Sequence, residues 1–177
     1  MNFGRLTARA IIGGLFMGHG LQKLTGWFGG PGLEGTEEMM QSLEMVPAKP
    51  NAVVAGTVET AGGAMVATGP LTPLASAGLI GTMITAIRKV HLPNGPWATQ
   101  GGYEYNLVLI AALLALADEG PGTPSIDAAL DEEHTGPAWS LAALALGAAT
   151  SAVVIEMGRR TAQQQAEDQQ SSAAGSG

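Results

Sequence analysis

Long uncharged stretches alternate with short polar connections along this chain. Residues 60 to 87 and 136 to 155 contain no charged side chain, and a mainly apolar run of 18 or more residues is long enough to span a bilayer. Two prolines in Gly69-Pro70-Leu71-Thr72-Pro73 interrupt the first stretch and predict a hairpin of two antiparallel helices. The pattern predicts an all-α membrane protein.

Five transmembrane helices follow from this pattern. Their predicted bounds are residues 4 to 24, 51 to 68, 72 to 90, 103 to 117 and 138 to 157. In the first helix, Ala10, Gly14 and Gly18 form a small-residue stripe that predicts close packing against a neighbouring helix. An amphipathic segment at residues 36 to 46 is expected to lie along the membrane interface, because its apolar residues recur at helical spacing.

The first four predicted helices are expected to form a four-helix transmembrane bundle within residues 1 to 127. An acidic loop, residues 128 to 137, precedes the fifth helix. We expect that helix to pack at the periphery, since it offers mainly Ala, Leu and Val and no charged group. Residues 158 to 177 are rich in Gln, Ser, Ala and Gly, a composition that predicts a disordered tail.

The amino-acid composition limits the kinds of protein and of reaction that this chain can represent. Only 13% of the 177 residues are charged while 46% are apolar, which is little charge for a soluble domain. The chain has no cysteine, so redox chemistry would need a bound cofactor, a quinone or a partner protein. The net charge of -7 comes mostly from carboxylates in loops and gives no support for nucleic-acid binding.

Ionisable residues gather at one end of the predicted bundle. A charge at the bilayer centre costs about 3 kcal/mol, so it needs a partner or a water-filled cavity. Glu59 is the deepest, about 12 Å inside at 1.5 Å per residue, and we expect it to pair with a cation from helix 1 or helix 3. The alternative is that the cations only extend to the lipid headgroups. Glu104 would then only stabilise the N-terminus of helix 4 through the helix dipole. The candidate site residues are His19, Lys23, Glu59, Arg88, Lys89, His91 and Glu104.

Five short motifs occur at the ends of these helices. They are Gly18-His19-Gly20-Xaa-Xaa-Lys23, Glu59-Xaa-Xaa-Gly62-Gly63, Lys89-Val90-His91, Gly102-Tyr103-Glu104-Tyr105 and Gly120-Pro121-Gly122-Xaa-Xaa-Ser125-Ile126-Asp127. In this order they resemble the DoxX family of small bacterial membrane proteins, over roughly residues 5 to 127. The family core looks like four transmembrane helices, so the fifth helix is an addition that the resemblance does not cover.

The resemblance implies a subunit of a membrane redox system. Some relatives are the small quinone-reducing subunit of a thiosulfate:quinone oxidoreductase, and others are linked to a membrane complex that handles oxidative and thiol stress. In this hypothesis the cations hold a quinone or a sulfur oxyanion, while Glu59 or His19 transfers protons. The alternative is a non-enzymatic membrane anchor or assembly subunit, whose ion pairs only fix the helix register.

Two further alternatives carry less weight. His19 and His91 lie at the same predicted end of two helices and could reach one haem iron, although such histidines often make ordinary hydrogen bonds. A pathway for a small solute is disfavoured, because the helices lack the paired internal repeats common in transporters.

The expected location is the inner (plasma) membrane, with several crossings. Partners would be the lipid bilayer and either other subunits or a second copy of the chain. Six cations, Lys23, Lys49, Arg88, Lys89, Arg159 and Arg160, fall on one face, and two, Arg5 and Arg9, on the other. The excess of six over two predicts an external N-terminus and a cytoplasmic C-terminus.

Overall fold

A computed structural model of the chain describes residues 2–175, with side chains described through residue 172. Every regular element in this range is helical, which confirms the predicted all-α class. The five long helices are α1 (Phe3–Thr25), α3 (Ala48–Thr68), α4 (Thr72–Ala86), α5 (Glu104–Glu119) and α7 (Pro137–Gly175). Two shorter helices, α2 (Gly32–Ser42) and α6 (Ile126–Ala129), lie in the connections.

Glycines end the first two long helices. Gly26 follows α1 with φ 75° and Gly69 follows α3 with φ 78°, a left-handed conformation that glycine adopts without steric cost. Pro73 lies in the first turn of α4, where its missing N–H does no harm. At its other end α4 continues into a π-helical turn, Ile87–His91, so the helical segment reaches one residue beyond the predicted bound.

α1 packs most extensively against α3, through glycines on both helices. A Cβ atom on Gly13 would lie 2.5 Å from the carbonyl oxygen of Gly63, and one on Gly20 would lie 2.6 Å from that of Gly56. The expected stripe is not the packed face, since a Cβ on Gly14 or Gly18 would meet open space. Small residues occur on several faces of α1, and only the position of α3 decides which face is buried.

α4 is the central helix and contacts α3, α5 and α7. Its buried Leu79 and Ile80 meet Val66 of α3 and Leu113 of α5 in the main apolar core. α1 barely touches α5. α3, α5 and α7 therefore pack around α4, and α1 joins the bundle mainly through its contact with α3.

The fifth helix packs more extensively than expected, although most of its apolar window is exposed. α7 makes the second most extensive helix contact, against α4. A Cβ on Gly147 would lie 2.9 Å from the carbonyl oxygen of Ala77, and Thr85 Oγ1 donates to Ser151 Oγ over 2.9 Å. The helix binds through small residues and a hydroxyl pair rather than through charge, which is the usual means of helix association in lipid.

α7 is also longer than predicted. It continues as helix to Gly175, so residues 158–175 of the predicted disordered tail are helical, while residues 176 and 177 lie outside the described part. Between positions 159 and 174 the chain has neither Gly nor Pro and is rich in Ala and Gln, which are good helix formers. Local propensity therefore outweighs low hydrophobicity here.

Among the described helices, α7 is the one that is both long and apolar enough to cross a membrane, over Pro137–Ser172. Only 17% of its apolar window is buried, so it is not the core helix of a soluble protein. α4 and α5 have 15 and 16 residues, and α1 and α3 are less apolar because each contains charged residues, among them Arg5, Arg9 and Lys23 in α1 and Lys49 and Glu59 in α3. The five predicted transmembrane helices thus differ widely in length and in hydropathy.

Candidate functional site

One buried ion pair joins α1 to α3. Lys23 Nζ lies 2.5 Å from Glu59 Oε2, and the two side chains are 22% and 6% exposed. The structure confirms the expected pairing of Glu59 with a cation and identifies that cation as Lys23. The lysine can reach the surface, whereas the carboxylate cannot.

The surrounding helices hold this pair in place. Lys23 lies in the last turn of α1, and α2 folds back over that turn, where Thr36 Oγ1 donates to the carbonyl oxygen of Lys23 over 3.1 Å. Thr36 is itself fully buried. On α3, the contacts of Gly56 and Gly63 with α1 bring the two backbones together on both sides of Glu59, so the lysine side chain spans only a short gap.

The other expected site residues do not join the pair. His19 and Arg88 are exposed, while Lys89 and Glu104 are half-buried. Within the described side chains, none of these four makes an ion pair. The structure brings together two of the seven candidate residues.

His91 has a structural contact. Its Nδ1 lies 2.8 Å from the carbonyl oxygen of Gly101, a hydrogen bond in the tautomer that protonates Nδ1. Asn94 Nδ2 donates to the same oxygen over 3.2 Å. Both side chains tie down the connection between α4 and α5, and the contact leaves only Nε2 of His91 free for any haem ligation.

A second buried polar cluster lies at the opposite end of the bundle. Arg9 of α1 is 1% exposed and Asp127 is 2% exposed. Arg9 Nη2 donates to the carbonyl oxygen of Pro124 over 2.5 Å. The Asp127 carboxylate accepts from the backbone N–H of Leu71 over 2.9 Å and of Thr72 over 3.3 Å, at the first turn of α4.

Two further hydrogen bonds hold the segment of residues 120–127, which lies over the turn between α3 and α4. The Asp127 N–H donates to the carbonyl oxygen of Gly69 over 3.1 Å, and the Ser125 hydroxyl accepts from Ala128 N–H over 3.1 Å. The sequence places Arg9 and Asp127 only among terminal and loop charges. The signal that could have found them is the Gly-Pro-Gly and Ser-Ile-Asp motif, whose glycines and capping serine indicate a built loop.

Two clefts open on the described surface, and neither includes the ion pair. One, of about 620 Å³, is lined by acidic residues of α2. The other, of about 320 Å³, lies between α1 and α5, with apolar walls and Arg5 and Glu119 at its mouth. Lys23, which is 22% exposed, is the member of the ion pair that contacts the surface.

The fold and this site define a class: a small all-helical protein whose apolar helices bury charges between glycine-rich faces. The family model described as DoxX matches residues 4–92, about half of the chain, and the chain belongs to the DoxX family. Because DoxX proteins are integral to membranes, this chain has a membrane location. The match includes α1 to α4 and ends just after the π-helical turn. No curated protein and no solved structure matches the chain.

Proposed function

We propose that this protein is an integral membrane subunit of a redox system, in which the Lys23–Glu59 pair is the reactive group of this chain. α1, α3, α4, α5 and α7 cross the bilayer. Large apolar side chains on the outward faces of these helices support five crossings, because lipid is the solvent that covers such surfaces. They include Ile11, Leu15, Val53, Val54, Leu74, Leu107, Val108, Leu141 and Val153.

The orientation follows the distribution of Lys and Arg. The end that carries Lys23 faces the cytoplasm, and the end that carries Arg5 and Arg9 faces outward. Two short helices are long enough in this arrangement: the π-helical turn extends α4 by five residues, and bilayers thin locally around short spans.

The observation that carries the proposal is the buried ion pair with one accessible partner. Glu59 lies 2.5 Å from the ammonium of Lys23, and the exposed edge of Lys23 lies toward the cytoplasmic end. A quinone arriving as substrate from the lipid would accept two electrons from a partner subunit, and the ammonium would stabilise the negative charge that develops on the quinone oxygen. Lys23 then donates one proton to that oxygen, regains a proton from cytoplasmic water and donates the second, so that two electrons and two protons convert the quinone to the quinol. Glu59 stabilises the lysine each time it is protonated again.

Glu59→Gln tests this proposal. The amide keeps the size of the side chain and one hydrogen bond but removes the charge, so we expect a folded protein whose quinone-linked turnover falls by about 10²-fold. Glu38→Gln is the matched control, since Glu38 is an exposed carboxylate of α2 at the same end. Turnover is measured with a soluble quinone in membranes that contain the native partners. Equal turnover in the two variants would contradict a catalytic Glu59.

The alternative is a non-enzymatic assembly subunit. It is favoured by the position of the pair between closely packed glycines, where an ion pair fixes the register of α1 against α3. In that case Glu59→Gln lowers thermal stability and the yield of co-purified partners, and leaves the turnover per assembled complex unchanged. The same variant therefore separates the two functions.

A further inference from the structure

We infer that the connection between α4 and α5, residues 87–103, is a preformed binding site for the headgroup of an anionic phospholipid. We call this segment the basic loop. The inference rests on the membrane location within the proposed function and not on its redox chemistry.

The basic loop carries two cations that no carboxylate neutralises. Arg88 is exposed and Lys89 is half-buried, both in the π-helical turn, and neither forms an ion pair with any described side chain. Three other arginines of the chain, Arg5, Arg159 and Arg160, form ion pairs; the Nε of Arg160, for example, lies 2.7 Å from Glu156 Oε1. Positive charge at the basic loop is thus available to an external anion.

Large apolar side chains accompany these cations. Val90 is 39% exposed, Leu92 is 56% exposed and Trp97 is 62% exposed. A tryptophan beside exposed aliphatic groups is typical of the interfacial region of a bilayer, where the ring meets acyl chains and its N–H meets headgroups. An anionic soluble ligand would leave these three side chains in water.

Backbone hydrogen bonds make the loop rigid. The N–H of Gly102 donates to the carbonyl oxygen of Trp97 over 3.0 Å, and that of Glu104 donates to Pro96 over 2.8 Å. The contacts of His91 and Asn94 with Gly101 add to this network. Trp97 is therefore held outward by a built structure, which lowers the entropy cost of binding.

The chemistry of these groups indicates the ligand. A guanidinium binds a phosphate oxygen pair with two N–H donors, and a nearby ammonium adds a point charge. The segment leaves α4 at the boundary of the membrane, where phospholipid phosphates lie. A lipid with a net negative headgroup satisfies both cations while its acyl chains cover Val90 and Leu92.

The experiment compares lipid retention by native mass spectrometry. Full-length protein is purified from a mixture with equal amounts of phosphatidylglycerol and phosphatidylcholine, and the ratio of bound lipids is measured. Each basic residue near an anionic surface contributes about 1 kcal/mol, so we expect Arg88→Gln and Lys89→Gln each to lower the phosphatidylglycerol ratio about fivefold. Lys49→Gln is the control, because Lys49 is an exposed cation at the same end of the bundle, and it should leave the ratio unchanged.

A wild-type protein without preference for phosphatidylglycerol would overturn the inference. An equal loss in Lys49→Gln would also overturn it, since the attraction would then be diffuse. A second measurement uses Trp27→Phe/Trp139→Phe, in which Trp97 is the only tryptophan left of the three. We expect brominated phospholipids to quench its fluorescence; quenching by aqueous acrylamide alone would refute the interfacial position. Quinone turnover enters neither measurement, so failure of the redox proposal leaves this test valid.

Discussion

Charged side chains are buried at both ends of the helix bundle, and they have different kinds of partner at the two ends. At the ion-pair end, Lys23 and Glu59 neutralise each other directly. At the opposite end, which we call the lock end, Arg9 and Asp127 bond mainly to backbone groups of a loop and a helix start. Arg9 and Asp127 are both almost completely buried, whereas Lys23 keeps an exposed edge.

This difference separates a structural role from a chemical one. Side chains that bond to the backbone of another segment fix that segment, and they cannot change partner without disrupting it. A pair made of two side chains leaves the backbone hydrogen bonds around it intact when one member changes partner. The ion-pair end is therefore suited to chemistry, while the lock end holds the α3–α4 turn and residues 120–127 together.

The largest effect on stability is expected at the lock end. Asp127→Ala removes the acceptor of two backbone N–H groups at the start of α4 and one counter-charge of Arg9, at a cost of about 3 to 5 kcal/mol. Glu132→Ala is the control, because Glu132 is an exposed carboxylate in the same region. SDS-driven unfolding in mixed micelles measures both. Similar unfolding curves for the two variants would show that the lock end is not a structural lock.

The sequence was sufficient to predict the helices and one ion pair. Uncharged runs and proline breaks place four helices, and the start of the fifth, near their observed bounds, because helix periodicity and backbone restrictions are local properties. Glu59 was predictable for a different reason: a short carboxylate deep in a helix cannot reach headgroups, so it needs a cation. The choice among Lys23, Arg88 and Lys89 depends on which helices pack together, and this was left open.

Tertiary contacts account for what the sequence could not predict. Gly13 and Gly14 look alike in sequence, yet only Gly13 faces α3. The role of α7 was missed because Gly147 and Ser151 mark a contact only when α4 presents Gly81 and Thr85 opposite them. Asp127 likewise caps a helix more than fifty positions earlier in the chain, a relation that no local pattern contains.

The next largest loss of stability is expected at the ion-pair end, where replacing Lys23 should cost more than replacing Glu59. Lys23→Met leaves the Glu59 carboxylate buried and unpaired, at a cost of about 3 kcal/mol. Glu59→Gln leaves a lysine that can extend toward water or headgroups, so we expect only about 1 kcal/mol. The double variant should recover most of the loss of Lys23→Met, because no charge is then left without a partner. Additive losses in the same unfolding assay would mean that the two residues do not interact.

The smallest predicted difference in stability is between alanine variants of two glycines, one at each end, that both have a left-handed backbone conformation. Gly26 follows α1 at the ion-pair end with φ 75°, and Gly69 follows α3 at the lock end with φ 78°. Alanine at either position pays the same left-handed strain, about 1 kcal/mol. A Cβ on Gly26 has its nearest neighbour at 3.6 Å, whereas one on Gly69 would lie 2.5 Å from Arg9 Nη1 and 2.6 Å from Ser125 Cβ.

Because the strain cancels between these two variants, their difference reports the crowding of the lock end alone. We expect Gly69→Ala to cost about 1 to 2 kcal/mol more than Gly26→Ala, measured as the difference between their unfolding free energies. Adding Arg9→Ala should reduce the penalty of Gly69→Ala only in part, since Ser125 Cβ still occupies the space. An equal cost for the two alanines would show that the loop over Gly69 yields readily, and the distinction between a rigid lock end and an adaptable ion-pair end would then fail.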